Sequence, residues 1–358
     1  MRNILFILLC CIPTIFTSAN DGVFYAQGNQ LIPANETDIS VQKEVLTLNR
    51  VGDQIKVTVY YEFNNPADEK NVLVGFEAQG GGDDDPSRTF PEHPCINNFK
   101  VVLNGAPVDY EIAHTDHSDY IYYFNVKFRP GLNIIQHTYD FEISYTVEDE
   151  FYFPYILTAA NRWANHQIDD FTLNIDMGDY TSFHLFPTFF KNGDEWSIQG
   201  IGKYTTDTVW GYTDGKETPV FHIQHGNIKY KKTNFHPDGE LMIRQRRCDW
   251  YSEWFWDHSV SLQGITDSFK SQYIPIRVPM YDVVYDDEEE MTLFYKSVSP
   301  EQRRILKNMP FAYKGYIFKD KTLQDYFEST NWYIPNPDYK SDMGTLDEKE
   351  REWVEFWK

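Results

Sequence analysis

The stretch that decides the fold is Ile55–Phe63, IKVTVYYEF, in which an apolar or aromatic residue occupies every second position. The stretch 137–147, HTYDFEISYTV, repeats this alternation. A β-strand points successive side chains to opposite faces, so a period of two predicts a strand with one buried face and one solvated face. Because antiparallel sheets commonly pack one face on a core, both stretches predict antiparallel strands.

Turn signals separate these strands from their neighbours. The dipeptide Asn104-Gly105 lies between the apolar residues of 101–103 and those of 108–112, and it predicts a tight hairpin. Short strands bounded by turns, with no helical stretch among them, are typical of a β-sandwich. We therefore predict a β-sandwich domain over residues 20–149.

A second β region is predicted over residues 150–285. Phe171, Leu173 and Ile175 alternate with polar residues, and further strands are expected around 196–198, 220–225 and 240–244. The acidic run 286–290, DDEEE, follows this region and is interpreted as a linker. The fold class predicted from these patterns is mainly β, with two β-sandwich-like domains.

Helix signals replace the alternation near the C-terminus. Ser299 and Pro300 suit the start of a helix, which we expect to run from residue 300 to about 308. A second helix is predicted to begin at Asp320. Its apolar residues Leu323, Tyr326 and Phe327 recur at helical spacing and therefore predict one buried face.

A third helix is predicted to reach the C-terminus. Thr345 and Glu348 have the spacing of a capping box. The apolar residues expected on the buried side of this helix are Leu346, Trp353, Val354 and Trp357. Three short helices predict a small, mostly α-helical module over residues 291–358.

This module resembles the YARHG domain, a small module of exported bacterial proteins named for a Tyr-Ala-Arg-His-Gly run. The run falls on residues 311–315, FAYKG, and the flanking 315–319 and 332–337 also fit. Tyr313 and Lys314 stand in the places of the Arg and the His. The candidate ligand-binding residues around this run and in the aromatic loop that follows are Tyr313, Lys314, Tyr316, Trp332, Tyr333 and Asn336.

The first two-thirds of the chain show a second resemblance. The stretch 20–33, NDGVFYAQGNQLIP, the tripeptide Val74-Gly75-Phe76 and the stretch 158–173 are similar to an uncharacterised exported bacterial family. The resemblance spans about residues 20–260. It implies envelope-associated β domains and supplies no catalytic role.

Residues 1–19 have the pattern of a cleavable secretory signal peptide. Arg2 precedes an apolar stretch over 4–16, and small residues follow at 17–19. A lipid-anchored alternative would use Cys10 or Cys11. No other apolar run approaches the roughly 20 residues of a transmembrane helix. We therefore expect an exported protein that is periplasmic, cell-surface or secreted, without a transmembrane helix.

The net charge limits the classes of binding partner, and the cysteine content limits the possible disulfides. The formal net charge of −22 disfavours nucleic acid and anionic lipid, which require clustered positive charge. Outside the signal peptide, Cys95 and Cys248 remain. An oxidising compartment permits a disulfide between them, and two separate thiols are the alternative.

Signals for a metal or a catalytic site are sparse. His114, Asp116, His117 and Asp119 offer four potential metal ligands on one predicted loop, although a solvated turn has the same composition. The chain lacks the GxSxG, HExxH, P-loop and Rossmann patterns. No cofactor is expected.

Aromatic segments favour a binding role. Residues 250–256, WYSEWFW, and the Trp332–Pro337 loop present planar rings that stack on sugars or pack domain interfaces. The leading hypothesis is a non-catalytic exported cell-envelope protein whose C-terminal module binds an envelope component such as cell-wall glycan or peptidoglycan.

One alternative is an envelope hydrolase with a carboxylate or His-Asp site. Its sign would be His114, His117, His222 or His225 beside a carboxylate in a concave pocket. A protein–protein adaptor with an exposed apolar patch is the other alternative.

Overall fold

The computed structural model describes residues 32–33, 37–78, 95–114, 120–143, 149–208, 217–246, 282–285, 291–294, 300–330 and 332–358. Several predictions fall outside this part of the chain. They concern the signal peptide at 1–19, the aromatic segment 250–256, the acidic run 286–290 and Cys248.

The first β region contains nine strands in the described residues. They are β1 (Ile32–Pro33), β2 (Ser40–Val51), β3 (Gln54–Asn65), β4 (Lys70–Ala78), β5 (Ile96–Leu103), β6 (Ala106–Val108), β7 (Glu111–His114), β8 (Tyr120–Phe128) and β9 (Gly131–Glu142). Strands β1-β4-β8-β7 form one sheet, and β2-β3-β9-β5-β6 belong to another. Ring contacts join the two sheets, for example Phe63 with Phe128 at 5.6 Å and Phe76 with Tyr139 at 5.4 Å. This is the predicted sandwich arrangement.

The alternation in the sequence corresponds to the observed burial. The five alternating residues of this stretch are at most 2% exposed, namely Ile55, Val57, Val59, Tyr61 and Phe63. Asn104 and Gly105 have φ values of 50° and 84°, the left-handed backbone that a two-residue hairpin turn requires. The chain then leaves this sheet, because β7 pairs with β8 in the opposite one. The single strand expected over 108–112 is therefore two short strands in different sheets.

The second β region contributes six strands. They are β10 (Asp149–Tyr155), β11 (Ile168–Asp176), β12 (Thr181–Leu185), β13 (Trp196–Thr208), β14 (Glu217–Phe235) and β15 (Leu241–Arg246). Strand β11 pairs in parallel with β2 and antiparallel with β14. The larger sheet therefore has the order β10-β15-β12-β14-β11-β2-β3-β9-β5-β6, with β13 added on β14. The two predicted β regions share one sheet and one hydrophobic core, which we call the β body.

A short hairpin precedes the helices. Strands β16 (Asp282–Tyr285) and β17 (Met291–Phe294) pair antiparallel on either side of the acidic run.

Three α-helices complete the described chain, namely α1 (Pro300–Tyr313), α2 (Lys321–Glu328) and α3 (Glu348–Phe356), with a 3-10 turn at Met343–Thr345 before α3. Asp320 caps α2 as predicted, since its side chain accepts from the backbone N–H of Leu323. The predicted end of α1 near residue 308 is wrong, because the helix continues through Pro310 to Tyr313.

The predicted capping box of α3 is also wrong. Asp347 and Glu350 form it instead. The Thr345 hydroxyl is engaged elsewhere, with the carbonyl of Asp342 and the hydroxyl of Tyr339. The residues expected on the buried side of α3 are buried, namely Leu346, Trp353, Val354 and Trp357.

The predicted fold class, mainly β with a small helical C-terminal module, is confirmed. No helix among the described residues is both long and apolar enough to cross a membrane.

Candidate functional site at the seam between the β body and the helical module

One face of the β body is polar although it is largely buried. On β14, Phe221 and Ile223 point into the core, so His222 and Gln224 lie on the opposite face. Cross-strand partners of His222 are Ser182 on β12 and Lys203 on β13. Residues directly opposite in a sheet share a face, so these four polar side chains form one polar surface.

Hydroxyl groups satisfy the imidazole of His222. Its Nδ1 lies 2.9 Å from Ser182 Oγ, and its Nε2 lies 3.0 Å from Thr205 Oγ1. Burial, followed by the charge of Lys203, lowers the pKa of His222 to about 3. The ring is therefore neutral at physiological pH, and it is a poor general base.

On the module side, the run that resembles the YARHG signature is the C-terminal cap of α1. The backbone N–H of Tyr316 donates to the carbonyl of Phe311, and that of Gly315 donates to Ala312. This pair of bonds is a Schellman motif with Gly315, at φ +84°, in the left-handed position. The signature glycine is thus explained by helix termination.

The capped end of α1 and the loop 332–336 rest on the polar face of the β body. Lys203 Nζ donates to the Tyr333 carbonyl at 2.9 Å, and Gln224 Nε2 donates to the Ile334 carbonyl at 2.6 Å. A Cβ on Gly315 would lie 2.6 Å from Gln224 Nε2, so only glycine permits this approach. We call this contact, formed by Tyr180, Lys203 and Gln224 with Tyr313–Gly315 and 332–334, the seam.

Lys314 links the seam to α3. Its Nζ lies 3.0 Å from Glu350 Oε1 and 4.5 Å from the ring centre of Tyr180. The side chains of Lys314 and Glu350 are 12% and 3% exposed, so the ion pair is largely desolvated. Burial raises the pKa of Glu350, opposed by the capping hydrogen bond from Asp347 and by Lys314.

Tyr180 has an unusual backbone for its size. Its φ is +54°, a left-handed conformation that is rare for bulky residues and is concentrated at functional sites. Its backbone N–H donates to the Gln224 carbonyl at 3.2 Å, which fixes the turn against β14. Burial, then Asp179 and Glu350, raises the pKa of Tyr180.

A small cavity lies within the seam. Its volume is about 10 Å³, enough for one water molecule. Residues of both parts line it, among them Tyr180, Ser182, Gln224, Tyr313 and Trp332. Two of the lining side chains have a buried polar atom without a hydrogen-bond partner, namely Gln224 Oε1 and Trp332 Nε1.

Four of the six candidate ligand-binding residues lie at the seam. Tyr313 and Trp332 line the cavity, Lys314 lies over Tyr180, and Tyr333 accepts from Lys203. Trp332 and Tyr333 are 5% and 3% exposed, so their rings are packed and are not open platforms.

The other two candidates lie beside the seam. The carbonyl of Tyr316 accepts from the hydroxyl of Tyr333 at 2.8 Å. The backbone N–H of Asn336 donates to Gly315, and its side chain closes a turn with Asp338. Sequence reasoning missed Tyr180, which lies in the turn before β12, and Ser182 and Gln224 on β12 and β14. The alternation in a strand does not show whether its polar face is covered.

The predicted metal ligands are described only in part. His114 ends β7, whereas Asp116, His117 and Asp119 lie outside the described residues. The described residues contain no cluster of three or more His, Cys, Asp or Glu side chains suited to a metal ion. Cys95 packs against the core, and its pairing with Cys248 stays a prediction.

Of the four histidines in the hydrolase alternative, His222 and His225 have side chains that the structure describes. His222 lines the cavity, and both of its ring nitrogens contact hydroxyl groups. His225 does contact a carboxylate, that of Asp179 at 2.9 Å, but its side chain is 74% exposed. A buried contact of His184 with Asp207 at 3.5 Å, unforeseen from the sequence, lies on β12 and β13.

The chain carries a YARHG domain: residues 283–358 match the family model of that domain. The match begins before the acidic run and so includes most of the hairpin formed by β16 and β17. The domain is typical of exported proteins. No curated protein matches the chain.

Among solved structures, the fold is similar to that of a candidate nutrient-binding protein from Legionella pneumophila. The TM-score is 0.50 at 16% identity, over 93% of this chain and 98% of that one. An M1 zinc metallopeptidase from Deinococcus radiodurans matches with a TM-score of 0.27 and 11% identity, over 63% of this chain and 45% of the peptidase. The likeness to the Legionella protein concerns the fold alone.

Proposed function

We propose that this chain is a non-catalytic exported cell-envelope protein that binds cell-wall glycan or peptidoglycan at the seam. The observation that supports it is the grouping of two half-buried rings, Tyr180 and Tyr313, with the polar side chains of Ser182 and Gln224 around one cavity. Aromatic faces pack on the C–H surface of sugars, and neighbouring polar groups bind the hydroxyls.

Two further observations agree with this role. The signal-like residues 1–19 and the YARHG domain favour export. The Legionella protein of similar fold is described as nutrient-binding, which favours a binding role over catalysis. In this proposal the YARHG domain and the β body bind together, since each supplies part of the cavity lining.

The alternatives have weaker support. A hydrolase would need a base near neutrality, whereas the pKa of His222 is lowered to about 3. An adaptor would need a contiguous apolar patch. The large apolar side chains exposed among the described residues, such as Val51, Leu132 and Ile317, lie on separate elements.

The test is co-sedimentation of the mature protein with purified peptidoglycan sacculi. Deleting the module is unsuitable, because it would uncover Lys203 and Gln224. We propose Tyr180→Ala combined with Tyr313→Ala, which should weaken binding about thirtyfold, since each of the two aromatic contacts contributes roughly 1 kcal/mol. Tyr60→Ala changes a half-buried tyrosine of β3 and is the matched control. Equal retention of all three proteins would exclude the seam as the binding site.

A further inference from the structure

We propose that Lys314 is a positioning residue for the ring of Tyr180, so that the YARHG domain controls a binding group that belongs to the β body. This inference rests on the proposed function, in which the Tyr180 ring packs against the sugar, and it adds how that site is controlled.

The ring of Tyr180 is not fixed by core packing. It is half-buried at the cavity, and among the described residues it joins neither the core of the β body nor that of the module. The backbone of Tyr180 is held, because its N–H donates to the Gln224 carbonyl at 3.2 Å. A held backbone still leaves the side chain a choice of rotamers. The orientation of the ring therefore depends on contacts made at the ring itself.

Lys314 makes such a contact from the module side of the seam. Its Nζ lies 4.5 Å from the centre of the Tyr180 ring, within the roughly 6 Å over which a cation is attracted to an aromatic face. The Lys314 side chain is 12% exposed, and a desolvated cation is attracted more strongly than an exposed one. The ammonium thus favours one orientation of the ring. A sugar would then pack on the opposite face.

The ammonium of Lys314 is in turn held by α3. Glu350 Oε1 lies 3.0 Å from Lys314 Nζ, and Glu350 Oε2 accepts from the backbone N–H of Asp347 at 2.9 Å. The second bond is part of the capping box of α3, so the carboxylate is fixed by the start of that helix. A fixed carboxylate limits where the flexible lysine side chain places its charge. The last helix of the YARHG domain therefore acts on Tyr180 through Lys314.

The first measurement needs no ligand. Protons on Cε of Lys314 that lie over the Tyr180 ring should resonate upfield of the same protons of Lys321, which forms an exposed pair with Asp325. Nuclear magnetic resonance of the mature protein with ¹³C-labelled lysine detects this shift, and the signal is assigned by its loss in Lys314→Arg. The shift should disappear in Tyr180→Ala. A Lys314 signal at the position of Lys321 would overturn the inference, because the ammonium would not lie over the ring.

The second measurement is a double-mutant cycle on binding to peptidoglycan sacculi. Lys314→Gln combined with Glu350→Gln removes the cation and leaves no uncompensated buried charge. It should weaken binding about fivefold when Tyr180 is present, the value of one aromatic contact, and cause no further loss in the Tyr180→Ala background. Lys314→Arg keeps a cation and should recover most of the affinity. Lys321→Gln combined with Asp325→Asn neutralises an exposed pair of the same module and is the matched control.

The outcomes separate this inference from the proposed function. Equal losses with and without the Tyr180 ring would overturn the inference, since Lys314 would then act on the module as a whole. The seam would remain the binding site if Tyr180→Ala still weakened binding. If the unmodified protein does not bind sacculi, the proposed function is wrong, and the upfield signal of Lys314 alone decides whether the module positions the ring.

Discussion

The indole N–H of Trp353 on α3 donates to the backbone carbonyl of Leu306 on α1, at 2.6 Å. In a regular helix this carbonyl would accept from the N–H of residue 310, which is a proline and has none. Trp353 is fully buried and supplies the missing donor. This contact explains how α1 passes through Pro310 and continues to the signature run at its C-terminal end.

Trp353→Phe should destabilise the YARHG domain by about 1–3 kcal/mol, because it leaves the buried Leu306 carbonyl unsatisfied. Pro310→Ala returns a backbone N–H to this carbonyl. The Trp353→Phe change should therefore cost about 1 kcal/mol less in the Pro310→Ala background. Urea unfolding of the four proteins, followed by far-ultraviolet circular dichroism, measures the coupling. Additive effects would show that the indole does not substitute for the backbone donor.

Gly315→Ala tests the packing of the signature run against the β body. The change forces a left-handed backbone on alanine and brings its Cβ to 2.5 Å from the Ile334 carbonyl and 2.6 Å from Gln224 Nε2. Gly105 has the same φ of +84°, but a Cβ at that position would have no atom within 4 Å, so Gly105→Ala isolates the backbone cost. We expect about 1 kcal/mol for Gly105→Ala and clearly more for Gly315→Ala, measured by urea unfolding. Equal losses of stability in the two variants would mean that the seam accommodates the added Cβ of residue 315 without any loss of packing energy.

Local sequence patterns were sufficient to predict much of this fold. The alternation in Ile55–Phe63 is a property of single strands, and it predicted burial because each strand has one core face. The cap of α2 at Asp320 likewise depends on residues within one turn. The parallel pairing of β11 with β2 joins residues far apart in the chain, and no local pattern encodes it. The continuation of α1 through Pro310 depends on Trp353, which is also distant along the chain.

Sequence analysis identified candidate-site residues on the helical module only, and none of their partners on the β body. The signature run and the aromatic loop directed attention to Tyr313 and Trp332, and both line the cavity. On β14, alternation of Phe221 and Ile223 with His222 and Gln224 is the ordinary pattern of a strand with a solvated face. Only the docked module makes that face an interior. The partners on the β body therefore could not be predicted from their own sequence.

The buried imidazole of His137 should lower the free energy of unfolding as the pH falls. Its ring is fully buried among Phe76, Phe99 and Tyr139, neither nitrogen has a partner, and burial lowers its pKa to about 3. The unfolded chain binds a proton near pH 6.5, whereas the folded chain does not, so stability is lost as pH falls from 6.5 toward 3. The loss is on the order of 1 kcal/mol per pH unit. Burial raises the pKa of the neighbouring Tyr139, which therefore does not titrate in this window.

His137→Phe should flatten this pH dependence, since phenylalanine fits the aromatic surroundings and cannot be protonated. Thermal unfolding at several pH values between about 4.5 and 7.5 gives the slope for both proteins. His222, whose pKa is also lowered to about 3, should account for part of the remaining slope. Parallel curves for the two proteins would contradict the assignment to His137.

Lys314→Met should destabilise the protein by about 3 kcal/mol, because it leaves the carboxylate of Glu350 buried without its cation. Replacing Glu350 as well, in Lys314→Met with Glu350→Gln, removes the uncompensated charge and should recover part of this loss. Lys321→Met is the matched control, since Lys321 forms a solvent-exposed pair with Asp325 and its loss should hardly change stability. Urea unfolding compares the three variants with the unmodified protein. If Lys314→Met behaves like Lys321→Met, the ion pair at the seam is not what holds α3 against the capped end of α1.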